Sequence, residues 1–291
     1  MSKVVADFHP ELYAETPPCE EPTKGRIVMS PGEVVAVFPE ETLRIDQSNI
    51  FDVVIREPQL DIEFIDTVVT IAYRRLNETQ TLFIGTDPDT IEQFRQVLFK
   101  SLLTGTSVYA HHPARVGGRV TGTDAHEATL GIKTGELLLR SSTTTESLAL
   151  ADVTDFGRQQ RALGTDSSAM SAVKIREFVD GESQTSFVGS RDERILNLLG
   201  RYLRIEYATL REEIQDLDLT SDDVELLVTL YSVDSAADLS RTLGLESSVL
   251  KTKLKKLHDA ELLVKSDNGA GYDLTDKGRI IVNQRLESVN A

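Results

Sequence analysis

The chain has 291 residues, a formal net charge of −16 and 40% apolar residues. This length allows two or three domains with separate hydrophobic cores. No apolar run reaches the roughly 18 residues that a membrane-spanning helix needs, and acids and prolines stand at the N-terminus where a secretory signal needs an apolar run. The single cysteine, Cys19, excludes an internal disulfide, which fits a reducing compartment. We therefore expect a cytoplasmic protein without a membrane-inserted segment.

The acidic residues are spread along the chain and are not gathered in one tail. Residues 217–291 hold 9 basic and 13 acidic residues, a net charge of −4, which leaves −12 for the other residues. A dispersed acidic surface is typical of proteins that work at high salt, where ions screen the self-repulsion. An ordinary acidic cytosolic protein is the alternative. In either case the net charge disfavours non-specific binding of nucleic acid.

Residues 1–23 contain several prolines and no regular apolar pattern, which predicts a flexible acidic tail. From residue 24 to 105 the chain changes to short runs rich in valine, isoleucine and threonine, such as GRIVM, EVVAVF and TVVTIAY. Runs of this length, separated by turn residues, predict an antiparallel sheet. After Asp87 the apolar residues recur every three or four positions. This spacing predicts a helix that Thr86 or Asp87 can cap, that has Pro88 in its first turn and that stops at Gly105.

The end of this segment recurs later in the chain. TLFIGTDPDTIEQF begins at Thr81 and TSFVGSRDERILNL begins at Thr185. GGRV at Gly117 aligns with GRIV, and ELLLR aligns with ETLRI, so residues 106–212 are predicted to be a second copy of residues 24–105. A curved antiparallel sheet closed by one C-terminal helix resembles the pleckstrin-homology superfold. We therefore expect an α+β protein with two tandem pleckstrin-homology-like β-barrel domains, each ending in a helix.

Residues 216–291 predict three helices, a β-hairpin and a closing helix. Thr220 or Ser221 can cap the first of these helices, which has acids in its first turn. The turn Asn268-Gly269 between two apolar runs indicates the hairpin. This order of elements, together with the segment AELLVKSDNGAGYDLTDKGR, resembles a C-terminal winged helix-turn-helix domain.

No motif for catalysis or cofactor binding is present in the sequence. There is no GxxxxGK[ST] loop for phosphates, and no HExxH motif or CxxC pair for zinc. His111 and His112 stand before Pro113, and we expect them to point apart in a solvated linker. The acidic residues offer no pair that can be singled out as general acid and base. The sequence therefore predicts that the protein is not an enzyme and has no cofactor or metal.

The third helix of the C-terminal segment concentrates positive charge in an acidic chain. It carries Lys251, Lys253, Lys255 and Lys256. Three interpretations stay open for them: a solvated outer face, a contact with the DNA major groove, or a basic patch that binds an acidic protein surface. The predicted wing tip, residues 267–271, has no arginine or lysine to enter a minor groove, which disfavours DNA. We take the four lysines as candidate partner-binding residues.

The whole-chain pattern resembles the CheF family of archaeal taxis proteins. The resemblance covers about residues 24–291 and rests on SPGEVVAVF, on the endings FIGTDPDTIEQF and FVGSRDERILNL, and on YDLTDKGR. It implies a halophilic, non-enzymatic adaptor at the base of the archaellum motor. The implied partners are the phosphorylated response regulator CheY, the archaellum switch proteins of the ArlCDE (FlaCDE) type, and CheC- and CheD-type proteins, so that chemotactic and phototactic signals reverse rotation. A homodimer stays possible, and a winged-helix DNA-binding regulator is the alternative function.

Overall fold

The computed structural model describes residues 4–14, 21–56, 67–164, 168–179, 181–215, 217–232, 236–266 and 271–290. These residues form a mixed α+β structure of antiparallel sheets and helices, as predicted. Two sheet-containing units come first along the chain, and a mainly helical unit follows them.

The first unit has two sheets and one helix in the described residues. Its elements are β1 (Ala6–Phe8), β2 (Glu11–Ala14), β3 (Thr23–Lys24), β4 (Arg26–Ser30), β5 (Glu33–Val37), β6 (Thr42–Asp46), β7 (Ile50–Arg56), β8 (Thr67–Arg75), β9 (Glu78–Thr86) and α1 (Pro88–Leu103). One sheet has the order β1-β4-β5-β6, and the other has the order β3-β2-β9-β8-β7. Buried residues alternate with partly buried ones along β5 and with exposed ones along β6, which places one face of this sheet on the core.

The first two strands correct the flexible tail that the sequence predicted over residues 1–23. β1 pairs with β4, β2 pairs with β9, and the side chains of Leu12 and Ala14 are fully buried. The alternation in β2 runs through only four residues, and Pro10 interrupts it, so it is too short to be seen as a strand pattern. Residues 15–20, which include Cys19, lie outside the described residues.

The second unit repeats this strand order within one continuous sheet. Its elements are β10 (Ser107–Val116), β11 (Arg119–Val120), β12 (His126–Lys133), β13 (Glu136–Arg140), β14 (Thr145–Ala149), β15 (Val153–Ala162), β16 (Ala169–Val179), β17 (Glu182–Gly189) and α2 (Glu193–Gln215). The order is β14-β13-β12-β10-β17-β16-β15, with β11 paired to β10. The first unit has the same order when β1 and β2 stand for the two halves of β10.

A proline stands at the same place in both units. Pro10 separates β1 from β2, and Pro113 lies in β10 where the pairing with β17 shifts its register between His111 and Arg115. Proline has no N–H to donate, so a strand ladder is interrupted at that point. In the first unit the interruption divides the sheet into two, whereas in the second unit the strand continues past it.

The strand order corrects the residue alignment of the two copies. GRIV lies in β4, whose counterpart by position is β12, whereas GGRV contributes the short strand β11. ELLLR forms β13, the counterpart of β5 and not of β6, where TLRI lies. Both units also have a 3-10 turn before the next long strand, at Gln47–Asn49 and Leu150–Asp152. The aligned segments were therefore displaced by one strand.

No sheet of the described residues closes into the predicted barrel. β14 and β15 are the edge strands of the second unit, and the chain passes from one to the other through the turn at Leu150–Asp152 without a ladder between them. Helix α2 packs against β15, β16 and this turn. Among the described residues, the outer edge of β15 therefore has no strand paired to it.

Helix α1 begins where the sequence predicted. The Asp87 carboxylate accepts a hydrogen bond of 2.9 Å from the N–H of Thr90, and Pro88 opens the first turn. The helix ends at Leu103, and Gly105 follows with φ +86°. The predicted apolar stripe is buried: Ile91, Phe94, Leu98 and Leu102.

The two sheet units share one hydrophobic core. Phe99 of α1 and Tyr202 of α2 lie with their ring centroids 5.6 Å apart, and buried residues of both units form one cluster. Arg95 of α1 is 1% exposed and donates hydrogen bonds to Glu92 and to Glu206 of α2. An apolar contact and a buried ion pair therefore hold α1 against α2.

The C-terminal unit has the element order that the sequence predicted. It consists of α3 (Ser221–Ser232), α4 (Ala236–Leu243), α5 (Ser247–Asp259), β18 (Leu263–Lys265), β19 (Tyr272–Leu274) and α6 (Asp276–Asn290). The predicted turn at Asn268-Gly269 lies outside the described residues. The unit contacts the second sheet unit through α6, where Arg279 Nη1 lies 3.5 Å from Asp152 Oδ2.

The start of α3 carries a reciprocal cap. The Asp223 carboxylate accepts a hydrogen bond of 3.0 Å from the N–H of Thr220, and the Thr220 hydroxyl accepts one of 3.3 Å from the N–H of Asp223. Each side chain satisfies a backbone donor that the first turn of a helix leaves unpaired. Thr220 is therefore the capping residue, one of the two that the sequence predicted.

Candidate interaction surfaces

Helix α5, which bears the four candidate lysines, buries one face in the C-terminal unit. Leu250, Leu254 and Leu257 are buried in the core of that unit. Because these leucines recur every three or four residues, the lysines between them lie on the flanks and the outer face of the helix. The structure divides the four lysines into two pairs according to their contacts.

Lys253 and Lys256 contact the first turn of α3. The Lys256 Nζ lies 2.6 Å from Asp223 Oδ2, and the Lys253 Nζ lies 3.5 Å from Asp222 Oδ2 and 3.8 Å from Asp223 Oδ1. Burial raises the pKa of Asp223, but the hydrogen bonds from Lys256 and Thr220 outweigh it and lower the pKa to about 2. These two lysines therefore hold α5 against α3.

Lys251 and Lys255 belong to the exposed surface. Neither side chain makes a hydrogen bond or an ion pair with another residue in the part of the chain that the structure describes. Their spacing of four residues places them on one face of the helix. Of the four predicted residues, these two have charges that are free to meet a partner.

Charge reversal is expected to separate the two pairs of lysines. Lys256→Glu brings a carboxylate to the buried Asp223 and removes the nearer of its two lysine partners, so the free energy of unfolding should fall by about 1–2 kcal/mol. Lys251→Glu should change it by no more than about 0.5 kcal/mol. Thermal unfolding of the two full-length variants at one salt concentration measures the difference. Equal effects would show that Asp223 does not depend on Lys256.

A second candidate surface is the cleft between the two sheet units, called here the inter-unit cleft. It has a volume of about 350 Å³ and lies between β7 of the first unit and β15 of the second, with α2 as its floor. Strand β7 contributes Phe51 and Asp52 to its wall, and β15 contributes Phe156. Phe156 also packs edge-on against Tyr207 of α2, with ring centroids 5.9 Å apart.

Three arginines line the inter-unit cleft. Arg201 of α2 bridges the units because its guanidinium donates to both carboxylate oxygens of Asp52, at 3.0 and 2.9 Å. The Nη1 atom of Arg158 in β15 lies 3.1 Å from the Oε2 atom of Glu193 at the start of α2. Arg204 is exposed, and within the described ranges it has no hydrogen bond or ion pair. One guanidinium group at the cleft therefore lacks a counter-charge in an otherwise acidic chain.

Two glycines keep the inter-unit cleft open. Gly157 lies in β15 and Gly200 in the middle of α2, and a Cβ atom added to either would meet no atom within 4 Å. Glycine in a helix interior costs roughly 0.5–1 kcal/mol relative to alanine. Packing within the chain does not require a glycine at position 200, so the open space there is kept at the expense of helix stability.

Gly200→Ala is therefore expected to raise the free energy of unfolding by about 0.5–1 kcal/mol. Gly189→Ala is the matched control and should lower it, because a Cβ there would lie 2.7 Å from Leu163 Cδ1 and 3.1 Å from Met170 Sδ. Chemical unfolding of both variants measures the two signs. A destabilised Gly200→Ala variant would show that the helix needs this glycine for its own packing.

A buried polar cluster lies inside the second sheet unit. His112 Nδ1 is 2.8 Å from the Ser186 hydroxyl, which donates at 3.5 Å to Glu177. Burial, with repulsion from Asp152 as the next cause, raises the pKa of Glu177 to about 8, and burial lowers the pKa of His112. Both groups are therefore uncharged near neutral pH, and their 3.9 Å approach is not an ion pair. Ser186 is fully buried, so no substrate can reach its hydroxyl.

The histidines of this region were not predicted correctly. His111 and His112 lie in β10 and not in a solvated linker, and the His111 ring packs 6.5 Å from that of Phe187. Among the described residues, no group of three or more histidine, cysteine, aspartate or glutamate side chains could hold a metal ion. None of the described helices has both the length and the apolar composition needed to cross a membrane.

The chain matches the family model described as "Archaeal Chemotaxis signal transduction system protein F" over residues 4–209. It is 33% identical over 287 residues to taxis protein CheF2 of Halobacterium salinarum, with 98% of each chain covered. It is 22% identical over 267 residues to taxis protein CheF1 of the same organism, covering 91% of this chain and 89% of that protein. A solved structure of the Spt16D Pob3N heterodimer matches 61% of this chain and 86% of that chain at 12% identity and a TM-score of 0.27, which does not establish a shared fold.

These matches place the chain in the class of archaeal chemotaxis signal-transduction proteins. Within that class, the chain belongs to the CheF family. The family model ends at residue 209, and the match to CheF2 extends the similarity through the C-terminal unit that carries α5. Neither the family description nor the names of the two relatives denote an enzyme.

Proposed function

We propose that the chain is a non-enzymatic adaptor that couples phosphorylated CheY to the archaellum switch proteins and so enables reversal of rotation. The observation that carries this proposal is membership of the CheF family, with a taxis relative aligned over 98% of the chain. The switch proteins would be of the ArlCDE (FlaCDE) type, and CheC- and CheD-type proteins would be further partners. The adaptor would act in the cytoplasm at the base of the archaellum motor.

The finer fold assignment belongs to the same proposal. The repeated strand order, with a helix packed at the end of each unit, supports two tandem pleckstrin-homology-like units. Three helices, a hairpin and a closing helix support a winged helix-turn-helix unit at the C-terminus. Such units present surfaces for partners without a catalytic pocket, which suits an adaptor.

The lysines of α5 are the proposed contact with an acidic partner. Lys251 and Lys255 would contact the partner directly because their charges are exposed and unpaired among the described residues, while Lys253 and Lys256 would position the helix through Asp222 and Asp223. At molar salt the attraction between charges is screened over more than about 3 Å. Affinity would therefore come from close hydrogen-bonded pairs together with neighbouring apolar contact.

The adaptor role is tested by pull-down of the full chain with beryllofluoride-activated and inactive CheY at molar potassium chloride. The activated regulator is expected to retain more of the chain. The double variant Lys251→Glu with Lys255→Glu should weaken retention while its melting temperature stays within a few degrees of the parent protein. Equal retention by both states of CheY, or none by either, would contradict the adaptor role.

A DNA-binding regulator is the second candidate function, favoured by the exposed lysines on the third helix of the C-terminal unit. It requires a sequence-specific shift of duplex DNA that weakens as salt rises. The net charge of −4 over residues 217–291 opposes it. Screening the folded full chain against a promoter library decides between the two functions, since an adaptor shifts no duplex in the library.

A further inference from the structure

The inter-unit cleft is bordered by the edge strands of two different sheets. Among the described strands, β7 pairs with β8 alone and β15 pairs with β16 alone. An edge strand presents a row of N–H and C=O groups that another chain can pair with. Helix α2 contacts both strands and forms the floor between them.

Of the two edges, β15 is the better place for an added strand. It offers ten described residues, Val153–Ala162. The first carbonyl of β7, at Ile50, already accepts a hydrogen bond of 3.2 Å from Arg194 of α2. The residues of β15 that line the cleft, Phe156, Gly157 and Arg158, combine an apolar ring, an open backbone position and a positive charge.

The charge of the inter-unit cleft selects an acidic occupant. Arg204 has no counter-charge among the described residues, and Arg201 and Arg158 stand beside it, each paired with a carboxylate: the half-buried Asp52 and the exposed Glu193. Arginine binds carboxylates through two parallel hydrogen bonds, the geometry that Arg201 already adopts with Asp52. A chain of net charge −16 repels acidic partners over most of its surface, so these arginines are a local exception.

We propose that the inter-unit cleft binds an extended, carboxylate-bearing segment of a protein partner, which adds as a strand to β15 and places its acidic side chains on Arg204 and its neighbours. The open backbone at Gly157 and the space over Gly200 admit the segment. A volume of about 350 Å³ accommodates a few side chains and not a folded domain. This surface is separate from the lysines of α5, so the proposal goes beyond the adaptor contact proposed above and does not depend on it.

The test uses a fluorescein-labelled octapeptide of alternating valine and glutamate with the full chain, read by fluorescence anisotropy at the salt concentration where the chain is folded. The peptide should bind. The same peptide with valine and lysine should bind at least about tenfold more weakly, because its charges face the arginines. A glutamate peptide methylated at alternate backbone nitrogens should also lose about tenfold, because it cannot complete the strand ladder.

Two variants locate the peptide, and a third variant serves as the matched control. Gly200→Leu fills the space over α2 without removing a contact, and Arg204→Glu reverses the free charge, so each should weaken binding by about tenfold while the melting temperature is retained. Arg119→Glu makes the same change of charge on the exposed strand β11 and should leave binding unchanged.

Several results would overturn the proposal. Absence of binding to the parent chain would overturn it, as would equal binding of the glutamate and lysine peptides. Full binding by both Gly200→Leu and Arg204→Glu would place the peptide elsewhere, and full binding of the methylated peptide would exclude strand addition. None of these results bears on retention by activated CheY, so failure of the cleft proposal and failure of the adaptor role are distinguishable.

Discussion

Replacement of Arg95 by leucine is expected to lower the free energy of unfolding by about 3–5 kcal/mol. Arg95 is 1% exposed on α1 and donates hydrogen bonds to Glu92 and Glu206. Glu92 is half-exposed and can return to water, whereas the Glu206 side chain is only 17% exposed. The variant therefore leaves a mostly buried carboxylate without its cation, and such a charge cannot be solvated without moving α2 away from α1.

The pKa of Glu206 supports this expectation. Burial raises the pKa of Glu206 even though Arg95 acts in the opposite direction. Without Arg95 the carboxyl group has lost the main interaction that favours its charged form. The measurement is chemical unfolding of full-length variants in molar potassium chloride, where the buried pair is screened far less than surface pairs.

Two controls accompany the Arg95→Leu variant. Arg44→Leu removes the exposed pair with Glu33, in which the arginine side chain is 66% exposed, and should cost no more than about 1 kcal/mol. The double variant Arg95→Leu with Glu206→Leu should recover most of the loss, because it removes the buried carboxylate as well. If Arg95→Leu costs no more than Arg44→Leu, the interface between α1 and α2 admits water and the assignment of a buried pair is wrong.

The second large effect concerns the pH dependence of stability at Glu177. Burial, followed by repulsion from Asp152, raises the pKa of Glu177 from 4.5 to about 8 in the folded chain, and the hydrogen bond from Ser186 opposes this only in part. Between these two values the folded state holds a proton that the unfolded state releases. Stability therefore falls as the pH rises from about 4.5 to about 8, by roughly 5 kcal/mol.

Glu177→Gln is expected to flatten this slope. Glutamine has nearly the same shape and can accept the hydrogen bond from Ser186, but it has no charge to bury. At pH 8 and above the variant should therefore be more stable than the parent chain, and the two should converge toward pH 5. Unfolding free energies at a series of pH values measure the effect.

Glu261→Gln is the matched control for this pH series. Its carboxylate is exposed, and the hydrogen bond from Lys277 lowers its pKa, so its contribution is lost only toward acid pH. The control should leave the slope between pH 6 and 8 unchanged. A Glu177→Gln variant with the slope of the parent chain would show that Glu177 is ionised in the folded state.

The sequence predicted elements whose signals are local. The strands of the first unit from β4 to β9, the cap at Asp87 and the cap at Thr220 each depend on a few neighbouring residues, and the structure has them in place. The alternation of apolar and polar residues did not predict the strands on either side of Pro10, because a run of four alternating residues is too short to indicate a strand. It also displaced the second copy by one strand, because short β runs resemble one another and only their pairing partners identify them.

The candidate surfaces were likewise predicted only where local sequence was sufficient. The sequence identified four lysines on α5, but only the packing of α5 on α3 separates Lys253 and Lys256, which contact Asp223, from the exposed Lys251 and Lys255. No short sequence pattern predicted the inter-unit cleft. Arg201 and Asp52 are far apart in the chain, and the role of Gly200 is visible only from the empty space around it.

By itself the sequence determined the class of structure, the absence of recognisable catalytic motifs and the family resemblance, because composition, periodicity and short motifs are properties of neighbouring residues. The tertiary structure alone decided which charges are buried in pairs, which are free, and where two sheet edges meet over α2. These properties depend on burial and on contacts between distant segments. Two arginines illustrate this, because Arg95 is a buried counter-ion whereas Arg204 is an exposed charge.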